Sequence, residues 1–529
     1  MAIGESGRIV IQVPPALKRK LYKDLARHGM SLRDWFLDQA EIYLNEQPST
    51  IQDAPTMSSP LDVKNEISGN IAESARGAQS EEVGAADTVH LGNATSVKQR
   101  LISTYNMLEE KFPVRVISDD VSYASPVNFV ESLKCARHRW FPYKEGFSPT
   151  FVRNFLTEFQ TSKSDVVLDP FSGVGTTSLV ASTIGHRAVG FDVSPMADFI
   201  ARTKCITLSE RELLAFDEYI RFVANTTGHA AHSVPNNDTV ISYFAPEFLD
   251  ALMQVKALAI LSDNQNIRAL AKLAFLTLVE TFSTHRKAGN GVKRKTKFVY
   301  GLVDIAPFVE VRDCFVKKLQ EMRQDLDEVQ IGIAPDFRLG SCLDESAFAD
   351  IDGIGAALTS PPYANCFDYS KIYQRELWLG DFFESAADLK TFRQGSVRSH
   401  VHASWAERHT EFSSDIVENL ICEHLKDQEL WSKKIPNMLS GYFKDVGALL
   451  SNIKPRMKSG ASFGLVVGNS VYGGIPVATD LLIGQLALDA GFKVERIDVY
   501  RSVIPSSQQF NIMEDKRWAR ESMVVIQKK

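Results

Sequence analysis

The sequence predicts an α/β protein: a seven-stranded, doubly wound sheet with a mostly helical insertion, preceded by a small strand–helix–helix module. Three observations support this prediction. Short β-type runs alternate with helical runs from residue 97 onward. Residues 46–96 contain no Phe, Tyr or Trp, and a segment so poor in large apolar side chains cannot offset its ordering entropy. A chain of 529 residues also exceeds one ordinary core, so we predict a module at 1–45, a flexible linker at 46–96 and a main domain at 97–529.

Composition narrows the class of protein before any motif is considered. The formal net charge is −6, which argues against indiscriminate binding to nucleic acid but is compatible with local basic patches. No run approaches ~20 uninterrupted apolar residues, and the N-terminus lacks the long apolar region of a secretory signal. The six cysteines form no CxxC pair. We therefore predict a reduced, cytoplasmic protein with no membrane partner and no metal site.

The N-terminal module has the pattern of one strand and two helices. Residues 8–13 alternate as a strand, Pro15 suits a helix start, and SLRD at 31–34 predicts a capping box that opens a second helix. This pattern resembles ribbon-helix-helix DNA-binding domains, in which two chains pair their strands into a ribbon that enters the major groove. The resemblance implies a homodimer, with Arg8, Val10 and Gln12 facing DNA bases. A module that only dimerises or binds protein is the alternative that the sequence leaves open.

Seven strands and two insertions make up the main domain. The insertions occupy about 205–335, which is mostly helical in pattern, and about 381–445. The strands are predicted near Val166–Leu168, Ala188–Asp192, Phe337–Leu339, Gly355–Leu358, Ser462–Val467, Val494–Val499 and Met523–Ile526.

The first of these strands ends in a glycine-rich turn, DPFSGVGTT at residues 169–177. Glycines between a strand and a helix let a ligand approach the backbone closely. The third glycine of GxGxxG is absent, which argues against a dinucleotide site, and no GK[ST] follows, which argues against a P-loop. The next strand ends at an acid, the position that holds ribose hydroxyls in doubly wound nucleoside sites. The residues predicted to line this site are Asp169, Pro170, Phe171, Gly173, Gly175, Thr176 and Asp192.

A second motif, Ser360-Pro361-Pro362-Tyr363, follows the fourth predicted strand. Two adjacent prolines stiffen the backbone and donate no ladder hydrogen bonds, so the carbonyl groups beside them are free to accept other donors. With a tyrosine ring next to these acceptors, the motif suits a flat, polar ligand.

Together, DPFSGVGTT, GFD and TSPPY resemble the S-adenosylmethionine-dependent amino-methyltransferases of DNA, which methylate N4 of cytosine or N6 of adenine. The resemblance covers most of residues 130–529, with a looser match at 138–156 to a segment that packs on the methionine end of the cofactor. It implies a Rossmann-like fold, S-adenosyl-L-methionine as cofactor, and double-stranded DNA as substrate, with the target base flipped out. Family members often carry an acid after the third strand, to contact the adenine ring. Here Ser341 stands at that position, so the resemblance assigns this contact to Ser341 or to Asp344.

The resemblance also implies roles for the second motif. Ser360 and the Pro361 carbonyl would accept hydrogen bonds from the amino group and pull its nitrogen towards tetrahedral geometry. Pro362 would help to fix these acceptors, and Tyr363 would stack on the base. Serine at the first position usually accompanies cytosine N4 in this family. We therefore predict a cytosine-N4 enzyme of a restriction–modification or defence system, with a cognate restriction endonuclease as partner. The alternatives are N6-adenine methylation, RNA methylation and a non-catalytic DNA-binding regulator.

The two insertions carry the remaining candidate residues. Basic side chains cluster in the first, which predicts a phosphate-contacting loop, with a merely solvated charged loop as the alternative. In the second, His400 and His402 alternate, but no third ligand is evident, so we predict no metal site there. Either insertion could recognise the target sequence. The basic residues predicted to contact DNA are Arg286, Lys287, Lys293, Arg294 and Lys295.

Overall fold

The computed structural model describes residues 87–118, 125–289, 291–296, 305–403, 405, 412–503 and 515–529. These residues belong to one compact unit that begins at Val83. The module predicted at 1–45, with Arg8 and Gln12, lies outside the described residues. A helix begins at Asp87, so residues 87–96 of the segment predicted as a linker are helical.

Strands β1 to β12 supply one large sheet and two small hairpins. Their bounds are β1 Val114–Val116, β2 Val166–Asp169, β3 Arg187–Asp192, β4 His285–Ala288, β5 Gly291–Arg294, β6 Asp336–Leu339, β7 Ile354–Thr359, β8 Met457–Gly468, β9 Ser470–Tyr472, β10 Ile475–Val477, β11 Phe492–Ser502 and β12 Arg520–Lys528. The large sheet has the order β1-β11-β12-β8-β7-β2-β3-β6. Neighbouring strands in it are parallel, except that β12 is antiparallel to β8 and β11.

All seven predicted strands are present in the large sheet, as β2, β3, β6, β7, β8, β11 and β12. The described sheet has eight strands, because β1 pairs in parallel with β11 at one edge. The sequence prediction missed β1 because three residues are too few to show an alternating pattern.

The helices cover both faces of the sheet and form the first insertion. Their bounds are α1 Asp87–Lys111, α2 Pro149–Glu158, α3 Thr176–Thr183, α4 Pro195–Lys204, α5 Glu210–Asn225, α6 Asp238–Ile241, α7 Pro246–Ala259, α8 Gln265–Thr281, α9 Pro307–Glu328, α10 Tyr369–Ile372, α11 Gln374–Leu379, α12 Ala386–Gly395, α13 Glu423–Lys426, α14 Ile435–Ile453 and α15 Thr479–Asp489, with a π-helical turn at Ile416–Cys422. Within the described ranges, none of the helices is both long and apolar enough to cross a membrane.

Alternation along the strands buries both faces of the sheet. Val167 of β2 belongs to a buried cluster with Phe155 of α2. Its neighbour Leu168 belongs to a different cluster, with Leu449 of α14 and Leu481 of α15. Because successive side chains of a strand point to opposite faces, helices must cover both sides. This arrangement confirms the doubly wound α/β prediction.

The first insertion is helical, as predicted, and has an apolar core of its own. Phe216 of α5, Leu252 of α7, Phe275 of α8 and Phe315 of α9 are buried in one cluster. Helix α5 begins with a capping box in which the Ser209 side chain and the Glu212 backbone N–H are paired. The cluster also includes Tyr373 and Trp378 from the segment after β7, which attaches the insertion to one wall of the site described next.

Candidate active site

An open cleft lies at the carboxyl ends of the parallel strands β2, β3, β6 and β7. Ligands of doubly wound sheets bind at this edge. The structure therefore brings the two sequence motifs together, although they are far apart along the chain. The predicted residues that line the cleft are Asp169, Pro170, Phe171, Gly173, Thr176, Asp192, Ser341, Ser360 and Pro362.

The glycine-rich turn after β2 can form only without side chains at two positions. Gly173 has φ 49° and Gly175 has φ 80°, in the region that favours glycine. A Cβ on Gly175 would lie 2.9 Å from the Cβ of Ala201 in α4 and 3.2 Å from the ring of Phe337 in β6. Gly175 is therefore a packing residue that brings α3 close to the sheet, and it is not among the residues that line the cleft.

Asp192, at the end of β3, is tied to the glycine-rich turn. Its Oδ2 accepts a hydrogen bond from the Gly173 backbone N–H at 2.9 Å, and its Oδ1 accepts one from the Ser194 N–H at 2.7 Å. Burial raises the pKa of this carboxyl to about 6, although both donors act in the opposite direction. Each oxygen keeps a lone pair that can accept a ligand hydroxyl.

Asp169, at the end of β2, joins the two motifs. Its Oδ1 accepts hydrogen bonds from the Thr359 hydroxyl at 2.7 Å and from the Phe171 N–H at 3.2 Å. Thr359 immediately precedes Ser360, so one buried carboxyl holds the cofactor-type turn beside the second motif. Burial raises the pKa of Asp169 to about 6 as well.

Tyr143 and Glu145 cover the glycine-rich turn. A Cβ on Gly173 would lie 3.2 Å from the Tyr143 ring, which stacks on Tyr373 with ring centroids 5.3 Å apart. The Tyr373 hydroxyl donates to Glu145 Oε2 at 2.5 Å. All three residues line the cleft. The match at 138–156 located this segment in the sequence, but nothing in the sequence singled out these side chains.

Ser341 and Asp344 were the two candidates for the contact after β6. Ser341 lines the cleft, and its hydroxyl accepts a hydrogen bond from the Leu343 N–H at 3.3 Å. Asp344 instead caps a short 3-10 turn, where it accepts from the Ser346 N–H at 3.0 Å, and it is not among the lining residues. The geometry therefore favours Ser341.

The side chains of the second motif point in different directions. Ser360 and Pro362 line the cleft, whereas Pro361 and Tyr363 are not among the lining residues. The Tyr363 ring packs against Gly468 of β8, where a Cβ would lie 2.8 Å from the ring. Its hydroxyl donates to Glu521 of β12 at 2.7 Å. The Tyr363 ring is half-buried, and the expectation from the sequence that it stacks on a base stays a prediction.

One wall of the cleft comes from the second insertion and carries His400. The His402 backbone N–H donates to His400 Nδ1 at 3.2 Å, so the proton of a neutral His400 ring is on Nε2. Burial lowers the pKa of His400 to about 4, which keeps the ring neutral near pH 7. His400 therefore presents a neutral imidazole to the cleft. Sequence reasoning named it only as half of a histidine pair.

The structure adds a third ligand-type side chain to that pair. In the described part of the chain, Asp368, His400 and His402 bring one potential ligand atom each within 4.8 Å of one another. Both oxygens of Asp368 are already in use, however. Arg393 donates to Oδ2 at 2.7 Å, and the Ser370 hydroxyl donates to Oδ1 at 2.5 Å. The sequence prediction was therefore wrong that a third potential ligand is missing, since Asp368 lies beside the two histidines. The positive charge next to Asp368 comes from the Arg393 guanidinium.

The basic cluster of the first insertion, in the hairpin β4–β5, contains both exposed and buried side chains. Arg286, Lys293 and Arg294 are exposed, and Arg286 lies directly opposite Lys293. Lys287 points inward, as expected from strand alternation. Its side chain is only 6% exposed, contacts Glu376 and lies 4.3 Å from the centre of the Tyr373 ring. Lys287 therefore supports the cleft wall, which corrects the prediction that it contacts DNA.

Lys295 is also a structural residue. Its Nζ donates to the backbone carbonyls of Glu280 and Thr281, at 2.7 and 2.8 Å. Partial burial lowers the pKa of its ammonium group to about 8. The prediction of DNA contact thus fits only Arg286, Lys293 and Arg294 among the described basic residues of this hairpin.

Known proteins resemble this chain in several ways. A family model described as DNA methylase, N6_N4_Mtase, matches residues 134–200, which contain the glycine-rich turn and Asp192. The type II methyltransferase M.BsoBI of Geobacillus stearothermophilus is 25% identical over 404 residues, covering 68% of this chain and 79% of that protein. The type II methyltransferase M.AvaI of Nostoc sp. is 26% identical over 427 residues, covering 75% of this chain and 87% of that protein. An uncharacterized 7.3 kDa protein from the Eco57IM 5′ region of Escherichia coli is 47% identical over 51 residues, covering 10% of this chain and 82% of that protein.

Proposed function

We infer that this chain, which belongs to the S-adenosylmethionine-dependent DNA amino-methyltransferases, transfers a methyl group to the exocyclic N4 of cytosine in duplex DNA at a specific sequence. The observation that carries the inference is the shared cleft. Asp169, Gly173 and Asp192 line one part of it, and Ser360 and Pro362 line another, so a cofactor and a target base can meet there. The type II methyltransferase relatives support a role in restriction–modification, with a cognate endonuclease as partner.

The residues of the cleft fit S-adenosyl-L-methionine. The turn at Gly173 lines the cleft without a side chain where a ligand must approach closely. Asp192 has lone pairs suited to ribose hydroxyls, and Glu145 adds a third carboxyl to those of Asp169 and Asp192, which suits a ligand that carries positive charge. The cofactor supplies an electrophilic methyl group on a sulfonium centre.

The chemistry required of the protein is to turn a weak nucleophile into a better one. The lone pair of an exocyclic amino group is delocalised into the ring. Hydrogen bonds from its N–H groups to the Ser360 Oγ and the Pro361 carbonyl would draw the nitrogen towards tetrahedral geometry, with the lone pair directed at the methyl group. Asp169 fixes Thr359, and the prolines fix the carbonyl, so both acceptors are held before the base arrives.

The target base is reached by flipping it out of the duplex, since its amino group is enclosed in the paired helix. His400 suits such a base. Its neutral ring can donate an N–H to the acceptor ring nitrogen that lies beside the amino group in cytosine. Adenine has an acceptor nitrogen in the same relation to N6, so the choice of cytosine depends on Ser360, which usually accompanies N4 methylation in this family.

Nucleoside mass spectrometry tests the proposal. DNA is analysed from cells that express the full chain and from cells that express the Ser360→Ala variant at the same level. We expect N4-methylcytosine in the first sample and a strong reduction in the second. N6-methyladenine instead would show that the assignment of the base from Ser360 is wrong. Absence of any methylated base from the first sample would refute DNA methylation by this chain alone, and RNA from the same cells would then be analysed.

A further inference from the structure

We propose that Tyr363 and Glu521 are positioning residues for the methyl transfer: they orient the Ser360 hydroxyl as a hydrogen-bond acceptor and take up the proton that the target amino group releases. This inference depends on the proposed function, since it concerns the same amino group. It also assigns a role to the Tyr363 hydroxyl, which is hydrogen-bonded to Glu521.

Three side chains form a continuous line of hydrogen bonds that leads from the cleft into the sheet. The Ser360 hydroxyl donates to Tyr363 Oη at 3.4 Å, and Tyr363 donates to Glu521 Oε1 at 2.7 Å. The other carboxylate oxygen, Oε2, accepts from Arg501 Nε at 2.5 Å. Glu521 is 4% exposed. A carboxylate this deeply buried is retained where it has partners for both oxygens, and here one of them is the Tyr363 hydroxyl.

The neighbouring strands are shaped for this contact. Gly468 of β8 lies directly opposite Glu521 of β12 in the antiparallel register. A Cβ on Gly468 would lie 2.8 Å from the Tyr363 ring, so glycine lets the ring reach across β8 to the carboxylate. The absence of a side chain at Gly468 therefore makes room for the Tyr363–Glu521 hydrogen bond.

The carboxylate determines the direction of every hydrogen bond in the line. An ionised Glu521 can only accept, so Tyr363 must donate to it. Tyr363 Oη then accepts from Ser360, whose own proton is thereby directed away from the cleft. The lone pairs of Ser360 are left facing the cleft, where they can accept an amino N–H. Without this orientation a serine hydroxyl is as ready to donate as to accept.

The same line of hydrogen bonds provides a route for the proton that the methylated amino group must lose. As the amino nitrogen bonds to the methyl carbon, the sulfur–carbon bond breaks with its electrons left on sulfur, and the nitrogen gains a positive charge. One N–H proton then moves to Ser360 Oγ, the Ser360 proton moves to Tyr363 Oη, and the Tyr363 proton moves to Glu521 Oε1. The cationic amine and the carboxylate become a neutral amine and a carboxylic acid, which loses its proton to water before the next turnover. Burial raises the pKa of Tyr363 well above its usual range, so Tyr363 stays a phenol between turnovers.

Two single variants and their combination test this role. Tyr363→Phe removes one oxygen and keeps the ring, and Glu521→Gln keeps the shape and removes the charge. With the purified full chain and unmethylated genomic DNA, we expect each single variant to transfer methyl at least about 100-fold more slowly in a single turnover. Binding of S-adenosylmethionine and the KM for DNA should change less than about twofold. The double variant should be no slower than the slower single variant, because both act through one line.

Controls separate this role from a structural one. Glu495→Gln removes a carboxylate that pairs with Lys493 on the neighbouring strand β11, and it should leave the rate unchanged. Glu521→Asp should recover part of the rate lost in Glu521→Gln. If Glu521→Gln lowers the thermal midpoint, Tyr363→Phe carries the test, since it removes no charge.

The outcomes are distinguishable. Full activity of Tyr363→Phe, or losses that multiply in the double variant, would overturn the proton line while leaving the methyltransferase proposal intact. A wild-type chain that transfers no methyl group to DNA would overturn both.

Discussion

Lowering the pH should weaken cofactor binding before it unfolds the protein. The pKa values of the two aspartates at the ends of β2 and β3 determine the pH range in which binding weakens. Asp192 and Asp169 both have pKa values raised to about 6 by burial. A raised pKa means that these carboxyls take up a proton as the pH falls through 6. If Asp192 must be ionised to accept two ribose hydroxyls, affinity follows its ionised fraction. At pH 5 that fraction is about one tenth, so the Kd for S-adenosylmethionine should rise about tenfold relative to pH 8. If Asp169 must be ionised as well, the rise is about a hundredfold.

Isothermal titration of the full chain with S-adenosylmethionine from pH 5 to 8 measures this effect, with far-UV circular dichroism at each pH to show that the fold persists. Asp192→Asn is the matched variant: it should bind the cofactor weakly at pH 8 and lose the part of the pH dependence that Asp192 supplies. A Kd that stays constant from pH 8 to 5 would refute the reasoning. So would an Asp192→Asn variant with the affinity and pH profile of the wild type.

Four further changes test other parts of the structure. Gly175→Ala should lower the free energy of unfolding by about 2–4 kcal/mol in urea titrations, because it combines a left-handed backbone with a 2.9 Å contact; a smaller loss than for a surface Gly→Ala change would contradict this. Ser360→Ala should slow single-turnover methylation about a hundredfold while the Kd for S-adenosylmethionine stays constant, and collapse of cofactor binding would show that the two sites are misassigned. Replacing both Arg286 and Lys293 with Ala should reduce the slope of log K against log salt for DNA by about 1.8, and an unchanged slope would exclude the hairpin from DNA contact. Removing residues 1–45 should leave methylation intact at high enzyme concentration, whereas loss of chemistry would show that the N-terminal segment is more than an accessory.

The parts of the fold that sequence could predict are those governed by local rules. Buried strands such as Val166–Asp169 are short apolar runs followed by turn residues, and the same pattern identified six others. The glycine-rich turn was also predictable, because the positive φ angles of Gly173 and Gly175 leave little choice of residue. Asp192 could be predicted for a related reason: the end of the second strand lies beside that turn in any doubly wound sheet.

The basic cluster shows where a local pattern stops being informative. In sequence, Arg286 and Lys287 are equivalent cations in one loop. In the structure they belong to a hairpin, and the alternation of strand side chains sends the first outward and the second against Glu376 and the Tyr373 ring. Charge alone does not reveal this division, because it depends on strand alternation and on two carboxylates, Glu280 of the insertion and Glu376 after β7, that pair with Lys287.

In the candidate site, the surroundings of Tyr363 likewise depend on residues that are distant in the sequence. The two prolines before it stiffen the backbone, and that much is local. The position of its hydroxyl depends on two residues far from it in the sequence. Gly468 of β8 leaves room for the ring, and Glu521 of the neighbouring strand β12 accepts the hydrogen bond from the hydroxyl. A tyrosine that stacked on a base would need only its ring, so phenylalanine could replace it freely. A tyrosine that orients Ser360 needs its oxygen, and the difference between the two rests on one hydrogen bond across the sheet.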